Sequence, residues 1–228
     1  MTDSPNSTAS PYRYHEQNLS EDHLLAKDRH VDIPHAPLES LRPVLLSWIN
    51  CVQRYIDVWD ADDLPYWYNE QANVSILAGA AWKADWTAIE EYQVRKIANE
   101  GTEPYSSIGR NDLYIANENH GWSIEAKVSY VPIDNRERAR TQINEKCTWA
   151  IRDANRVHYD EPRLGAVFVA PYSAGEPANV TQIQMFRKML LEIPCAAIAW
   201  VAPGRAQKTH SHDGRYYPMV ALILLSSD

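Results

Sequence analysis

Residues 109–128 read Gly109-Arg110-Asn111-Asp112-Leu113-Tyr114-Ile115-Ala116, then Asn117-Glu118-Asn119-His120-Gly121, then Trp122-Ser123-Ile124-Glu125-Ala126-Lys127-Val128. The outer segments are rich in β-branched and aromatic side chains. The middle one is polar and ends in glycine. That composition predicts a short strand over residues 112–116, a hairpin connection, and a returning strand over 122–128. Alternate side chains of a strand share a face, so Glu125 and Lys127 project together and Ala126 points away. With Asp112 opening the antiparallel neighbour, two carboxylates meet at one end of the hairpin beside an ammonium group. Two carboxylates, a strand carbonyl and water make the oxygen-rich shell that Mg²⁺ takes. A bound Mg²⁺ or Mn²⁺ neutralises a phosphate and makes water nucleophilic, and a second ion can stabilise the leaving oxygen. Such chemistry needs no activated serine or cysteine.

Working outward, residues 68–83 carry Val74, Leu77, Ala78 and Ala81 at helical spacing. Asn69 is placed to cap that helix, and Glu70 suits the positive end of its dipole. Residues 86–94 mix β-branched and aromatic with polar side chains and predict a strand, whereas residues 99–109 read as loop. Downstream, a helix is expected over 136–157, a strand over 164–170, a helix over 179–192, and strands over 196–202 and 216–225. The order points to an α/β fold, a mixed central sheet flanked by helices. Upstream, Leu41, Leu45, Trp48, Ile49, Val52 and Ile56 predict an amphipathic helix over 38–59, and residues 60–65 break it. Residues 1–37 hold few large apolar side chains and read as a flexible N-terminal arm. The chain then divides into that arm, an N-terminal helical extension (38–65) and a main domain (66–228).

The Asp112, Glu125, Ala126, Lys127 series, with an upstream helix bearing Glu70, resembles the PD-(D/E)xK (restriction-endonuclease-like) nuclease superfamily over about residues 68–155. The order of elements is also similar to that of archaeal Holliday-junction resolvases. Asn111 stands where the proline that names the motif would be. The resemblance implies an αβββαβ core and a metal-dependent endonuclease. Asp112, Glu125 and Glu70 would be its metal ligands, Lys127 would orient water or phosphate, and Mg²⁺ (or Mn²⁺) would be its cofactor. Gln142, in the helix after the second strand, loosely resembles a glutamine that adds to the site in RecB-like members. Glu90 and Glu91 compete with Glu70 for the upstream acid role, should residues 86–96 be helical. The implied partner is nucleic acid, with DNA the expected kind, and a homodimer would let two sites cut two strands. The alternative function is a binding or interaction module that reuses the nuclease fold without catalysis.

Composition narrows the remaining options. The 228 residues carry a formal net charge of −8, which argues against a nonspecific basic nucleic-acid coat but not against an enzyme whose own ligands are acids. Cys51, Cys147 and Cys195 are odd in number and form no CxxC pair, so neither a disulfide framework nor a zinc knuckle is indicated. No signal-like leader and no membrane-length apolar run is visible, and a cytoplasmic protein is expected. Arginines and lysines over residues 136–156 could track a phosphate backbone or form a solvated face with internal ion pairs. Tyr66, Trp67 and Tyr68 read more readily as core contacts than as base-stacking rings. His210, Ser211, His212 and Asp213 read as an exposed loop.

Overall fold

The hairpin lies inside a larger sheet in the computed structural model, which describes residues 28–98, 105–157 and 162–226. The strands are β1 (Arg29–Asp32), β2 (Thr87–Ala98), β3 (Tyr105–Ala116), β4 (Gly121–Pro132), β5 (Arg163–Ala174), β6 (Ala197–Val201), β7 (Arg215–Tyr216) and β8 (Val220–Ser226). Seven of them run in the order β1-β6-β8-β5-β4-β3-β2, with β7 paired to β5 off that path. The β2–β3 and β3–β4 pairs are antiparallel, and β4 and β5 are parallel. The α-helices among the described residues are α1 (Arg42–Val58), α2 (Glu70–Lys83), α3 (Arg136–Asn155) and α4 (Val180–Leu191). The protein is therefore a mixed α/β fold.

Local chemistry explains where the elements begin. The Asn69 side chain accepts a hydrogen bond from the Ala72 N–H at 3.0 Å and caps α2, as its position in the sequence suggests. Asn135 caps α3 in the same way, accepting from Arg138. Asn179 and Gln182 form a reciprocal capping box at α4. The parallel β4–β5 pair requires a long crossover, and α3 supplies it.

The sheet is covered on both faces. On one, α1 and α2 pack Trp48, Ile56, Leu77 and Ala81 against Ile124, Ala126 and Phe168. On the other, α3 and α4 pack Ala139, Ile143, Phe186 and Leu190 against Val131, Val167 and Trp200. The segment expected as a helical extension thus shares its core with the sheet. No helix among the described residues is long and apolar enough to cross a membrane.

Two expectations need correction. The arm assigned to residues 1–37 was expected to be flexible throughout, but its end forms β1. That strand pairs antiparallel with β6, His30 stacks on Trp200 at 4.0 Å, and Asp28 meets the buried Arg187 at 3.3 Å. Four residues, RHVD, are too short to show strand periodicity on their own. The loop assigned to residues 99–109 is extended from Tyr105 onward, so Asp112 lies within β3 instead of opening it. Ser106, Ser107 and Gly109 read as loop residues in isolation, and their pairing with Ile97, Lys96 and Val94 of β2 makes them strand. Residues 1–27 and 99–104 lie outside the described residues.

Candidate active site

The β3–β4 pairing runs from Ala116 opposite Gly121 to Leu113 opposite Ile124 and goes no further. The next cross-strand positions are Asp112 and Glu125, where the strands part. Meanwhile β4 keeps its parallel partner β5 through Pro132, so the edge of β4 that faces β3 is open from Glu125 onward. A buried N–H on an open edge needs an acceptor, and the acids supply it. Asp112 Oδ2 accepts from the Ala126 N–H at 2.7 Å. The Glu70 carboxylate, at the start of α2, faces the Val128 N–H, which favours its ionised form.

Between those two N–H groups lies Lys127. Its Nζ donates to Ala126 O at 2.7 Å and pairs with Asp153 Oδ2 of α3 at 3.2 Å. Ala126 is buried against the α1–α2 core, so Glu125 and Lys127 lie on the α3 face, as strand alternation requires. Glu125 is only 3% exposed, and its Oε1 accepts from Lys96 Nζ at 2.6 Å. The structure therefore gathers Glu70, Asp112, Glu125 and Lys127 at the opening and adds Lys96 and Asp153, which the sequence motif did not single out.

The electrostatics are those of an acid cluster in partial shelter. Burial, then the neighbouring Asp112 charge, push Glu125 up to about 7, against the pull of Lys96 and Lys127. Burial also raises Asp112 and Glu70 above the usual carboxylate range, although the Ala126 N–H and Lys127 oppose the rise. For Lys127, burial pulls downward, but the charges of Glu70, Asp153 and Asp112 outweigh it and hold the ammonium above its ordinary value.

A carboxyl with pKa 4.5 unfolded and about 7 folded binds more protons in the folded state across that window. Its contribution to stability is complete below pH 4.5 and is lost as pH rises through 7. Metal-free Glu125→Gln is thus expected to melt with wild type at pH 5. At pH 8 it should melt higher by roughly 4–8 °C, on the order of 2 kcal/mol. Melting curves in EDTA check this, and a wild-type-minus-variant difference that stays constant with pH would exclude it.

The competing acids take another role. Residues 87–98 are strand, and Glu90 and Glu91 bond to the exposed side of α2, Glu90 through Ser75 and Glu91 through Gln71. Glu91 also pairs with Arg110 and has φ +52, a left-handed conformation that is strained for glutamate and interrupts the β2–β3 ladder opposite Asp112. Its charge raises Asp112 from nearby. Gln142 lies on α3 with a buried Oε1 that has no hydrogen-bond partner, and no bond among the described residues joins it to the cluster.

The other aromatic and polar groups have structural partners. Tyr66 is buried and donates to Tyr217 O at 3.0 Å. His120 sits in the hairpin turn that the Asn117 side chain closes. Asp213 is engaged by Ser211 and Arg215. Arg136 and Arg140 pair with Glu192, which caps the end of α4, so part of the basic character of α3 goes into internal ion pairs.

Among the described residues no three His, Cys, Asp or Glu side chains are gathered as a ready cation cage. Mg²⁺ does not require one, because it takes one or two carboxylates and keeps several waters. Two observations fit such an ion. Asp112 and Glu125 raise each other's energy when both are charged, and an ammonium already stands against Glu125 in a cation's place.

No family model and no curated protein matches the chain. One solved structure, "Crystal structure of SSO0001", is similar over 66% of this chain and 75% of that chain, at 16% identity and a TM-score of 0.19. A score that low carries no argument about fold or function.

Proposed function

We propose that the chain is a metal-dependent nuclease that hydrolyses phosphodiester bonds of nucleic acid, with DNA the expected substrate. The observation that carries this reading is the opening between β3 and β4, into which Asp112, Glu125, Glu70 and Lys127 converge from two strands and a helix start. The order α2, β2, β3, β4, α3, β5 supports a restriction-endonuclease-like αβββαβ core. It has an antiparallel meander followed by a helical crossover to a parallel strand.

Asp112 and Glu125 would hold Mg²⁺ or Mn²⁺, with Glu70 assisting directly or through water. The ion, when bound, supplies Lewis acidity toward the phosphate and lowers the pKa of a coordinated water. The protein's own groups do the rest. Lys127 offers an ammonium, held charged by the surrounding acids, to a phosphate oxygen or to the attacking water. Asp153 fixes the direction of that side chain. The buried floor of Ile124, Ala126 and Leu113 keeps bulk water out from beneath.

A second reading has one observation in its favour. Lys127 and Lys96 are both engaged by acids, so the cluster could serve as a structural ion-pair network in a non-catalytic interaction module. Incubating the protein with plasmid DNA and with single-stranded DNA separates the two. Cleavage in Mg²⁺ or Mn²⁺ that stops with EDTA is expected, and no cleavage of either substrate would favour the module.

Metal should also stabilise the folded chain. At a hundredfold excess over Kd the gain is about 2.7 kcal/mol, an upward melting shift of roughly 5–10 °C. The shift should be larger at pH 8 than at pH 6, because the ligands bind ionised. An unchanged melt at both pH values would count against a formed site.

A further inference from the structure

We propose that Lys96 holds the place that a second metal ion takes in two-ion nucleases, so that this site uses one divalent cation and one ammonium. The inference rests on the nuclease reading above.

Lys96 is built into position from its backbone outward. It forms an isolated antiparallel bridge with Val157, and the next residue, Ile97, donates its N–H to Arg156 O at 2.7 Å. The end of β2 is thereby tied to the end of α3. From there the Lys96 stem runs across Gly109 of β3. A Cβ added at Gly109 would sit 2.9 Å from Lys96 Cδ and 3.1 Å from Cγ, so the absent side chain is the channel through which the lysine passes. Its ammonium ends 2.6 Å from Glu125 Oε1, with the lysine side chain 20% exposed and the glutamate 4%. A lysine meant only as surface charge would not be threaded over a glycine to reach a buried carboxylate.

Counting donors leads to the same point. A pair of ions bridged by carboxylates needs each ion to have its own oxygens as well as shared ones. Here Asp112 Oδ2 is given to the Ala126 N–H, Glu70 faces the Val128 N–H, and Glu125 Oε1 is given to Lys96. Asp112 and Glu125 each keep one oxygen outside those bonds, which with water would offer a single ion the one or two carboxylates that Mg²⁺ takes, while the Oε1 side of Glu125 is occupied by the ammonium. The positive charge that a second ion would set against the departing oxygen is left to Lys96.

In the reaction the water oxygen bonds to phosphorus, and the phosphorus–oxygen bond to the leaving sugar breaks with its electron pair staying on oxygen. That oxygen, its charge set against the Lys96 ammonium, takes a proton from solvent, while the attacking water releases its proton to solvent.

The test is a count of Mn²⁺ bound per wild-type chain at saturation, by calorimetry and electron paramagnetic resonance, alone and with a phosphorothioate oligonucleotide that resists cleavage. One ion per chain in both states is expected. Two ions in either state would overturn the role of Lys96 and leave the nuclease reading standing. No bound ion would overturn both.

As a second arm, Lys96→Met at saturating Mn²⁺ should lose about 100-fold in kcat with the ion count still one, and Lys96→Arg should recover part of the loss. Wild-type kcat in a folded Lys96→Met variant would overturn the proposal. If that variant does not fold, the wild-type count decides alone.

Discussion

Asp112→Asn is expected to lower metal-dependent cleavage by at least about 1000-fold, near 4 kcal/mol of barrier, while leaving the metal-free fold as stable as wild type or more so. The two halves of this expectation come from the two oxygens of one side chain. The oxygen corresponding to Oδ2 accepts from the Ala126 N–H at 2.7 Å, and an asparagine carbonyl can keep that bond. The open edge of β4 therefore stays satisfied, and the hairpin has no reason to rearrange.

The negative charge is what the substitution removes. It is half of the charge pair offered to a cation and a cause of the upward shift of Glu125 to about 7. Removing it relieves repulsion in the metal-free protein and weakens the grip on the ion. An aspartate that served only to hold the Ala126 N–H would leave no specific kinetic mark, because asparagine keeps that bond. Cleavage rates at saturating Mn²⁺ and melts in EDTA, measured on the same preparation, distinguish the two. Cleavage within tenfold of wild type would sink the catalytic assignment of Asp112. Lys127→Met, which keeps the stem and loses the charge, should show the same kinetic loss but a lower melting temperature, since Asp153 keeps only its pairing with the exposed Arg152.

The parts of this site that could be read from sequence were the local ones. Strand alternation put Glu125 and Lys127 on one face, and a polar turn brought Asp112 back toward them. The Asn69 cap fixed where α2 starts and so where Glu70 sits. Residues 86–94 were legible as strand, and Glu90 and Glu91 lie on that strand.

What was not legible depends on contacts between distant segments. Lys96 follows Arg95 and precedes Ile97, and nothing in that run marks it off from surface charge. Its meaning comes from Gly109, thirteen residues later in the chain, and from Glu125 on a third strand. Asp153 looks like one more charge on a mixed helix until α3 crosses β4. The parting of β3 and β4 is a matter of register, which a hairpin sequence does not state, and it is what exposes the Ala126 and Val128 N–H groups to the acids. β1 was missed for a related reason, because four residues owe their extended form to the edge of β6.

Replacing Gly165 with valine should destabilise the fold by about 3 kcal/mol, a fall of roughly 6–12 °C in Tm, and should reduce cleavage before the fold is lost. Gly165 is the β5 residue in parallel register with Glu125. A Cβ placed there would stand 2.9 Å from the carbonyl carbon of Ala150 and 2.9 Å from the Ile151 nitrogen. Those atoms belong to the α3 backbone, which cannot swing aside as a side chain can, so the helix itself has to lift from the sheet. Ala139, Ala150 and Ala154, all buried, are the small residues that let α3 lie so close. Lifting it loosens the second core layer and carries Asp153 away from Lys127, which couples this packing defect to the site.

Gly109→Ala makes the informative comparison. Its new Cβ also meets an atom at 2.9 Å, but that atom is on the flexible Lys96 stem. The stem can shift at a cost below about 1 kcal/mol with its ammonium still on Glu125, so stability should hardly change. Urea unfolding of both variants tests the distinction between helix backbone and side chain as neighbours. Equal losses in the two would show that the closeness of α3 to β5 is not what limits residue size at position 165.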